Sequence, residues 1–320
     1  MGIRGLAGYL KWKSPNSRKN MQWNRHTGSR WIIDCSCLLY RARAAGLEPL
    51  SVIASLIVRM RAAKIEPIVV FDGKPPSVKS ETLEQRRAVR SVALKELSDI
   101  QSELKDDALS EVERAEKEVR VSELQAKAPQ VSSRDRDDIK RFLYSCGVLF
   151  ITASGEADDI LAYLARSKFV NAVVSTDMDM LARGVSLLIV PETNDATVLT
   201  ELRLDAILSD LCLRYDQFVR ACVLMGTDYM GRDWKTMEPR FAVEAVRRSD
   251  SWMDVSGGYE RMEKAVEILR GESVKWEDLL SESQHEKWRA GAPLREPENL
   301  EAICNDHGWP SDWFNILLHG

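Results

Sequence analysis

The stretch Gly155-Glu156-Ala157-Asp158-Asp159, followed by Ala172-Val173-Val174 and then Ser175-Thr176-Asp177-Met178-Asp179-Met180, decides how the rest of the chain is read. Glu156 and Asp158 form one pair of carboxylates and Asp177 and Asp179 another, both with i, i+2 spacing. That spacing puts both side chains on one face of a strand, and at a strand end or in a first helical turn it still brings them to a common point. Like charges held together call for a cation between them. Oxygen ligands without His or Cys nearby point to Mg²⁺ or Mn²⁺ rather than zinc. A second reading stays open at this level: the Glu156 pair complements a helix N-terminus after Ser154, and the Asp177 pair forms a turn.

Three apolar runs share one grammar, a short β-branched segment that stops on Asp. Trp31-Ile32-Ile33 ends at Asp34, Ile68-Val69-Val70-Phe71 at Asp72, and Ala172-Val173-Val174-Ser175-Thr176 at Asp177. Nearly continuous apolar runs separated by helical segments read as buried parallel strands, and the sites of such sheets lie beyond their carboxyl ends. The expectation is an α/β fold, a mostly parallel twisted central sheet with helices on both faces, with Asp34, Asp72 and Asp177 on one rim.

The chain has 320 residues and 44% hydrophobic composition, enough for one large domain or a core with an appendage. No run is long enough to cross a membrane, and Met1-Gly2-Ile3-Arg4-Gly5-Leu6 lacks both a signal-peptide core and an acylation motif, so the protein is expected inside the cell. Cys35, Cys37, Cys146, Cys212, Cys222 and Cys304 are scattered without a Cys-x-x-Cys and read as small buried residues. The net charge of −4 hides an asymmetry: residues 1–95 hold 18 Lys and Arg against 6 Asp and Glu, the remainder 27 against 43. A polyanion partner for the first part follows from that split.

Along the chain, residues 2–12 read as a helix, and a polar loop carrying Arg18, Lys19, Arg25 and Arg30 leads to the first strand. Helices follow over 36–45 and 51–63, then the second strand and Gly73-Lys74-Pro75-Pro76, which continues neither a helix nor a strand. From Ser77 to Lys127 the sequence is helical in propensity, densely charged and poor in apolar residues, basic first and acidic later. Lys79, Arg86 and Arg90 share a helical face there, which suits an exposed arch that grips phosphates. A helix to Ser145, strands at 148–151 and 187–190, and helices over 204–211 and 215–224 lead to Gly226-Thr227-Asp228-Tyr229. Trp252, Trp276, Trp288, Trp309 and Trp313 mark the last 70 residues, where they read as packing anchors.

The elements MGIRGL, Ile33-Asp34-Cys35-Ser36 with Tyr40, FDGKPPSVKSETLEQRR, GEAD, STDMDML and GTDY occur in that order from the first residue to Tyr229. On these motifs the chain resembles the flap endonuclease and XPG superfamily of structure-specific 5′ nucleases, the flap endonuclease branch most closely. The resemblance implies a PIN-like 5′ nuclease fold with a helical arch. It implies two Mg²⁺ ions, which Mn²⁺ can replace, held by Asp34, Asp72, Glu156, Asp158, Asp177, Asp179 and Asp228. Asp158 stands where the flap endonucleases usually have Glu, one methylene longer. Lys79 and Arg86 match a basic pair that approaches the scissile phosphate, and with Asp34, Asp72, Asp177 and Asp179 they make up the implied catalytic set. Tyr40 matches an aromatic that stacks on the base beside the cut. Gly2, the N-terminus once Met1 is removed, is placed near the active site, and Lys74, Arg87, Arg90 and Arg240 join as nucleic-acid contacts.

The implied organisation is a nuclease domain over 1–250, made of an N-terminal region 1–76, the arch 77–128, an internal region 129–229 and an altered duplex-binding helical element 230–250, with a Trp-rich extension over 251–320. The family's glycine-hydrophobic-glycine turn, which binds a monovalent ion, is not recognisable between Met230 and Pro239, although Pro239-Arg240-Phe241-Ala242 resembles the end of that motif. The segment between Asp34 and Asp72 is shorter than in typical members. No sliding-clamp motif or basic nuclear tail is recognisable. The expected partner is DNA with a 5′ flap, nick or free 5′ end, cut by a monomer in the nucleus or a viral replication compartment. RNA cleavage is the alternative within the superfamily. An inactive nucleic-acid-binding scaffold is a further one, against which seven acidic residues argue.

Overall fold

In the computed structural model, which describes residues 2–74, 80–105, 110–191, 198–231, 234–248 and 259–320, the three Asp-terminated runs lie side by side. The strands are β1 (Arg18–Asn20), β2 (Arg30–Asp34), β3 (Glu66–Phe71), β4 (Leu149–Thr152), β5 (Ala172–Val174), β6 (Leu187–Pro191) and β7 (Leu199–Arg203). They form one seven-stranded sheet in the order β1-β7-β6-β5-β2-β3-β4. The five strands from β6 to β4 are parallel, with Ile32 opposite both Ile68 and Val173. β7 pairs antiparallel with β6, and β1 with β7. The parallel part of the sheet therefore starts in the middle at β2, builds outward through β3 and β4, and returns to the other side of β2 with β5. That reversal makes a topological switch point, and the crevice outside the carboxyl ends of β2, β3 and β5 is where such a sheet binds ligands.

The helices are α1 (Leu6–Lys13), α2 (Cys35–Ala44), α3 (Pro49–Ala62), α4 (Ser80–Glu103), α5 (Glu111–Lys127), α6 (Ser133–Ser145), α7 (Ala157–Arg166), α8 (Asp179–Ala182), α9 (Leu204–Asp210) and α10 (Tyr215–Met225). They continue as α11 (Pro239–Arg248), α12 (Tyr259–Arg270), α13 (Trp276–Leu279), α14 (Glu282–Ala290), α15 (Pro297–Asp306) and α16 (Ser311–His319). Alternate strand residues point to opposite faces. Ile32, Ile68, Val70, Ile151, Val173 and Leu188 meet α1, α7 and α9 to α12 on one side. Trp31, Ile33, Val69, Phe71, Val174 and Ile189 meet α2, α3, α6, α15 and α16 on the other. Both faces are thus covered, which is why the strands read as continuous apolar runs. Each fully buried Ile or Val contributes roughly 1.5–3 kcal/mol relative to exposure.

The charged segment after Asp72 is a helical hairpin. α4 and α5 pack through a small cluster of Ala93, Leu97, Leu124 and Ala128, and Arg120 pairs with Glu96 at 2.6 Å across them. Ser110 and Glu113 close a capping box at the start of α5.

The C-terminal helices reach both faces of the sheet. Met262, Val266, Leu269 and Leu279 join the first core, and Leu300, Cys304 and Leu317 the second. Gln284 on α14 accepts the Thr152 N–H at 2.8 Å, so α14 covers the exposed edge of β4. The tryptophans anchor this packing: Trp276 and Trp288 lie 5.0 Å apart, and Trp309 meets Phe142 edge-on at 5.6 Å while donating to Ser51. Trp252 lies outside the described residues. All six cysteines are free thiols.

Candidate active site

Each acidic side chain is positioned by the end of a strand or the start of a helix. Asp34 is the N-cap of α2, where its Oδ1 accepts the Cys37 N–H at 3.0 Å, and its Oδ2 accepts the Ser175 hydroxyl at 2.8 Å. The same Ser175 oxygen accepts the Asp177 N–H at 3.1 Å. Ser175 is buried and thereby links the ends of β2 and β5. Asp72 follows β3 directly, and its Oδ1 accepts the Ala157 N–H at 2.8 Å, joining it to the first turn of α7. Glu156 is the N-cap of α7 and Asp158 lies in its first turn. Asp177 is three residues beyond β5, its Oδ1 accepts the Asp179 N–H at 3.0 Å, and Asp179 opens α8.

The turn after Asp72 is laced to the turn before α7 backbone to backbone. Gly73 donates to the Gly155 carbonyl at 2.8 Å, and a Cβ on Gly73 would stand 1.9 Å from the Ala153 carbonyl oxygen, so no other residue fits. A second glycine closes the opposite side. Gly2 has φ +90°, and a Cβ there would stand 2.2 Å from Asp177 Oδ1 and 2.9 Å from Asp179 Oδ1. The start of the chain is thus seated against the second acidic pair.

The charges are mutually felt. Asp34 is pushed up to about 8, first by burial and then by the charge of Asp158, with Asp72 adding to it, while the Cys37 N–H and Ser175 hold it down. Asp179 is raised well above the carboxylate range by burial and by Asp177, Asp158 and Asp228, with Arg183 opposing. Six of the seven acids named from the sequence, Asp34, Asp72, Asp158, Asp177, Asp179 and Asp228, therefore share one electrostatic neighbourhood, and Glu156 lies beside Ala157 and Asp158 within it. Among the described residues, no three His, Cys, Asp or Glu side chains stand in ready-made coordination of an ion. Oxygens of Asp34, Asp72 and Asp177 instead accept backbone N–H groups. The donor set still fits a hard divalent cation: all ligands are carboxylates, and the buried Asp179 Oδ1 has no hydrogen-bond partner.

Arg183, Tyr229 and Ser175 carry roles that the sequence did not reveal. Arg183 is fully buried; it donates to Asp159 at 2.6 Å and to the Tyr229 hydroxyl at 2.6 Å, and stands 3.9 Å from Asp158. A basic residue at the end of a short helix ordinarily reads as solvent-facing, so its spacing gave no signal. Of the expected nucleic-acid contacts, Tyr40 is half-buried on α2, Lys74 is exposed just beyond the Asp72 turn, and Arg87 and Arg90 lie on α4, exposed and half-exposed. Arg240 is exposed on α11, near Glu244 at 3.6 Å. Lys79 and the side chain of Arg86 lie outside the described residues. A cavity of about 470 Å³ lined by Arg30, Glu66, Leu149, Phe169 and Trp288 opens at the amino ends of β2, β3 and β4, and none of the seven acids lines it.

A doubly wound sheet with an acidic switch-point rim and a helical hairpin defines a class of α/β proteins whose site suits a hard divalent cation. Two family profiles narrow it: the XPG N-terminal domain matches residues 1–93 and the XPG I-region residues 147–228. Flap endonuclease 1 of Xiphophorus maculatus is 31% identical over 268 residues, 78% of this chain and 67% of its own length. That of Glycine max is 32% identical over 248 residues, 72% and 62%. The chain thus spans about two thirds of the length of these relatives. Among solved structures, flap endonuclease-1 from Methanococcus jannaschii superposes with a TM-score of 0.66 at 20% identity, covering 99% of this chain and 98% of that one. The catalytic core of Rad2 in complex with a DNA substrate gives 0.65 at 16% identity, covering 99% of both. These two show the shared fold. The chain belongs to the flap endonuclease and XPG family of metal-dependent, structure-specific 5′ nucleases, which act as phosphodiesterases.

Proposed function

We propose that this protein hydrolyses phosphodiester bonds in DNA near junctions of single strand and duplex, as a flap endonuclease and 5′-3′ exonuclease. One observation carries the reading: the acidic side chains converge at the switch point, with Gly2 closing the rim. Asp34, Asp72, Glu156, Asp158, Asp177, Asp179 and Asp228 would hold two Mg²⁺ ions, or Mn²⁺ in their place. Such ions, when bound, supply Lewis acidity that makes water a better nucleophile and offsets charge on phosphoryl oxygens. Burial of Asp34 and Asp179 excludes water and makes a cation at their oxygens more favourable than at a solvated site.

A phosphodiester is anionic, so an acidic rim needs cations nearby. Lys79 and Arg86, in the stretch of sequence that follows Asp72, would face the scissile phosphate. Arg87, Arg90 and Lys74 extend that basic side, Arg240 on α11 would meet duplex backbone, and Tyr40 would stack on the base beside the cut. The relatives are named flap endonucleases and the Rad2 neighbour holds DNA, which favours DNA over RNA. The protein is taken to act as a monomer inside the cell.

The test is a cleavage assay in Mg²⁺ with labelled flap DNA, nicked duplex and single-stranded RNA. Asp177→Asn and Asp179→Asn should abolish cleavage of the flap while leaving its binding in place. Activity within about tenfold of the wild type, a barrier change of about 1.4 kcal/mol, would sink the ligand assignment. Preferred cleavage of the RNA would overturn the DNA reading.

A further inference from the structure

Two lysines outside the acidic rim share an aromatic seat and lack a counter-charge. Phe71, the last residue of β3, and Phe150 on β4 pack nearly perpendicular, with ring centroids 6.1 Å apart at 78°. The Lys287 ammonium on α14 lies 3.0 Å from the centre of the Phe150 ring, and that of Lys140 on α6 lies 5.1 Å from the centre of Phe71. Both lysines are half-exposed. Among the described residues, neither has a carboxylate partner. Of the acids along α6, Asp138 is committed to Arg134 and Arg141 and Asp135 to Arg43, and among the described residues no ion pair joins Lys140 to Asp137, one turn before it.

This arrangement is unfavourable for the protein alone. Partial burial strips water from Lys287, and the Lys140 charge repels it, so its ammonium is held down to about 8. Cation–π contact offsets some of that cost without neutralising either charge. A purely structural role would be served better by an apolar residue at either position.

The lysines also lie in a telling place. Phe71 immediately precedes Asp72, Arg136 lies one turn before Lys140 on α6, and the charges of both Arg136 and Lys140 are felt at Cys35, next to Asp34. Arg136 and Lys140 therefore flank the Asp34 and Asp72 side of the rim, with Lys287 beside Lys140, and all three stand on α6 and α14 rather than on the α4–α5 hairpin. The aromatic faces are covered by the ammonium groups, so bases cannot stack on them. What two half-exposed ammonium groups without a carboxylate partner can take is an anion such as a phosphate.

We propose that Lys140 and Lys287, with Arg136 beside them, form a phosphate site that holds the nucleic-acid backbone as a strand passes the Asp34 and Asp72 side of the rim; this rests on the nuclease reading above.

The experiment measures binding of flap DNA by fluorescence anisotropy in EDTA across a salt series, for the wild type, Lys140→Gln, Lys287→Gln, the double variant and Lys168→Gln at the opposite end of the sheet. Removing one phosphate-binding ammonium should flatten the slope of log K against log salt by about 0.7 to 0.9 and weaken binding about fivefold at 0.15 M salt. Lys168→Gln should change neither. Thermal melts of Lys287→Gln should be no lower than wild type, which separates the effect from unfolding. A double variant with the wild-type slope would overturn the proposal while leaving the nuclease reading intact. A weakening seen only with 5′-phosphorylated flaps, and not with 5′-hydroxyl ones, would also overturn it, because the site would then take a terminal phosphate. Failure of the wild type to bind or cut any flap would instead strike the nuclease reading.

Discussion

Replacing Arg183 with Met keeps most of the side-chain volume and removes a buried cation that stands among the acids. Arg183 is 1% exposed, with three partners on two parts of the fold: Asp158 and Asp159 on α7 and Tyr229 beyond α10. Breaking a buried pair by deleting one partner costs roughly 3–5 kcal/mol, because the other charge is left uncompensated. Two features pull toward the low end. The Asp159 side chain is 35% exposed and can recover water, and the Arg183 Nε, which has no hydrogen-bond partner, no longer has to be buried. About 3 kcal/mol is therefore expected, a large share of the roughly 5–15 kcal/mol that holds a protein folded. At about 2.1 cal/mol/K of unfolding entropy per residue, 320 residues convert this into a fall in Tm of about 4 to 5 °C. Urea titration and thermal melts in EDTA measure both. Arg183→Met combined with Asp159→Asn should be less destabilised than the sum of the two singles, since removing both partners leaves fewer orphans. A loss below about 1 kcal/mol, the range of an exposed pair, or strict additivity would refute the argument.

Gly2→Ala places a methyl group 2.2 Å from Asp177 Oδ1. Single-turnover cleavage should fall about a hundredfold, the order expected for an ångström-scale displacement at an active site, with no change in the melting curve. Lys287→Met should be more stable than wild type at pH 7. The Lys287 ammonium is held down to about 8 in the folded chain against 10.5 unfolded, so the unfolded state binds more protons between those values and wild-type stability rises with pH there. The advantage of the Met variant should be fully present below pH 8 and gone near pH 10.5, as urea titrations at both ends would show. Finally, the short segment between Asp34 and Asp72 and the unrecognised ion-binding turn predict similar cleavage rates on single-flap and double-flap DNA. They also predict little response to exchanging K⁺ for Na⁺ at constant ionic strength. A clear rate advantage for the 3′-tailed substrate would refute the reading of that segment.

The central strands were legible because β2, β3 and β5 are buried on both faces, which writes them as unbroken apolar runs ending on Asp34, Asp72 and just before Asp177. β1 and β7 were not. Arg18-Lys19-Asn20 has no apolar residue, and Glu201 in the middle of β7 looks exposed until His26, far away in sequence, bonds to it at 2.8 Å. Antiparallel strands at the side of the sheet, of this kind, take their stability from pairing, which no local pattern records. The acids were legible as spaced pairs, whereas their connections through Ser175 and Arg183 depend on contacts between elements 24 to 141 residues apart.

The order of the strands has a kinetic consequence. β2 stands at the centre of the sheet, and its neighbour β5 is built from residues 141 positions later, Trp31 pairing with Ala172. Closing such a separation is slow, and during synthesis one edge of β2 waits unpaired until the internal region has emerged. Ser175, Asp177 and Asp179 arrive with that late strand, so Asp34 and Asp72 face no second acidic pair before then. An emerging chain is expected to be inert toward nucleic acid chemistry while its long-range pairing is incomplete, and catalytic competence should appear in one step, together with closure of the sheet.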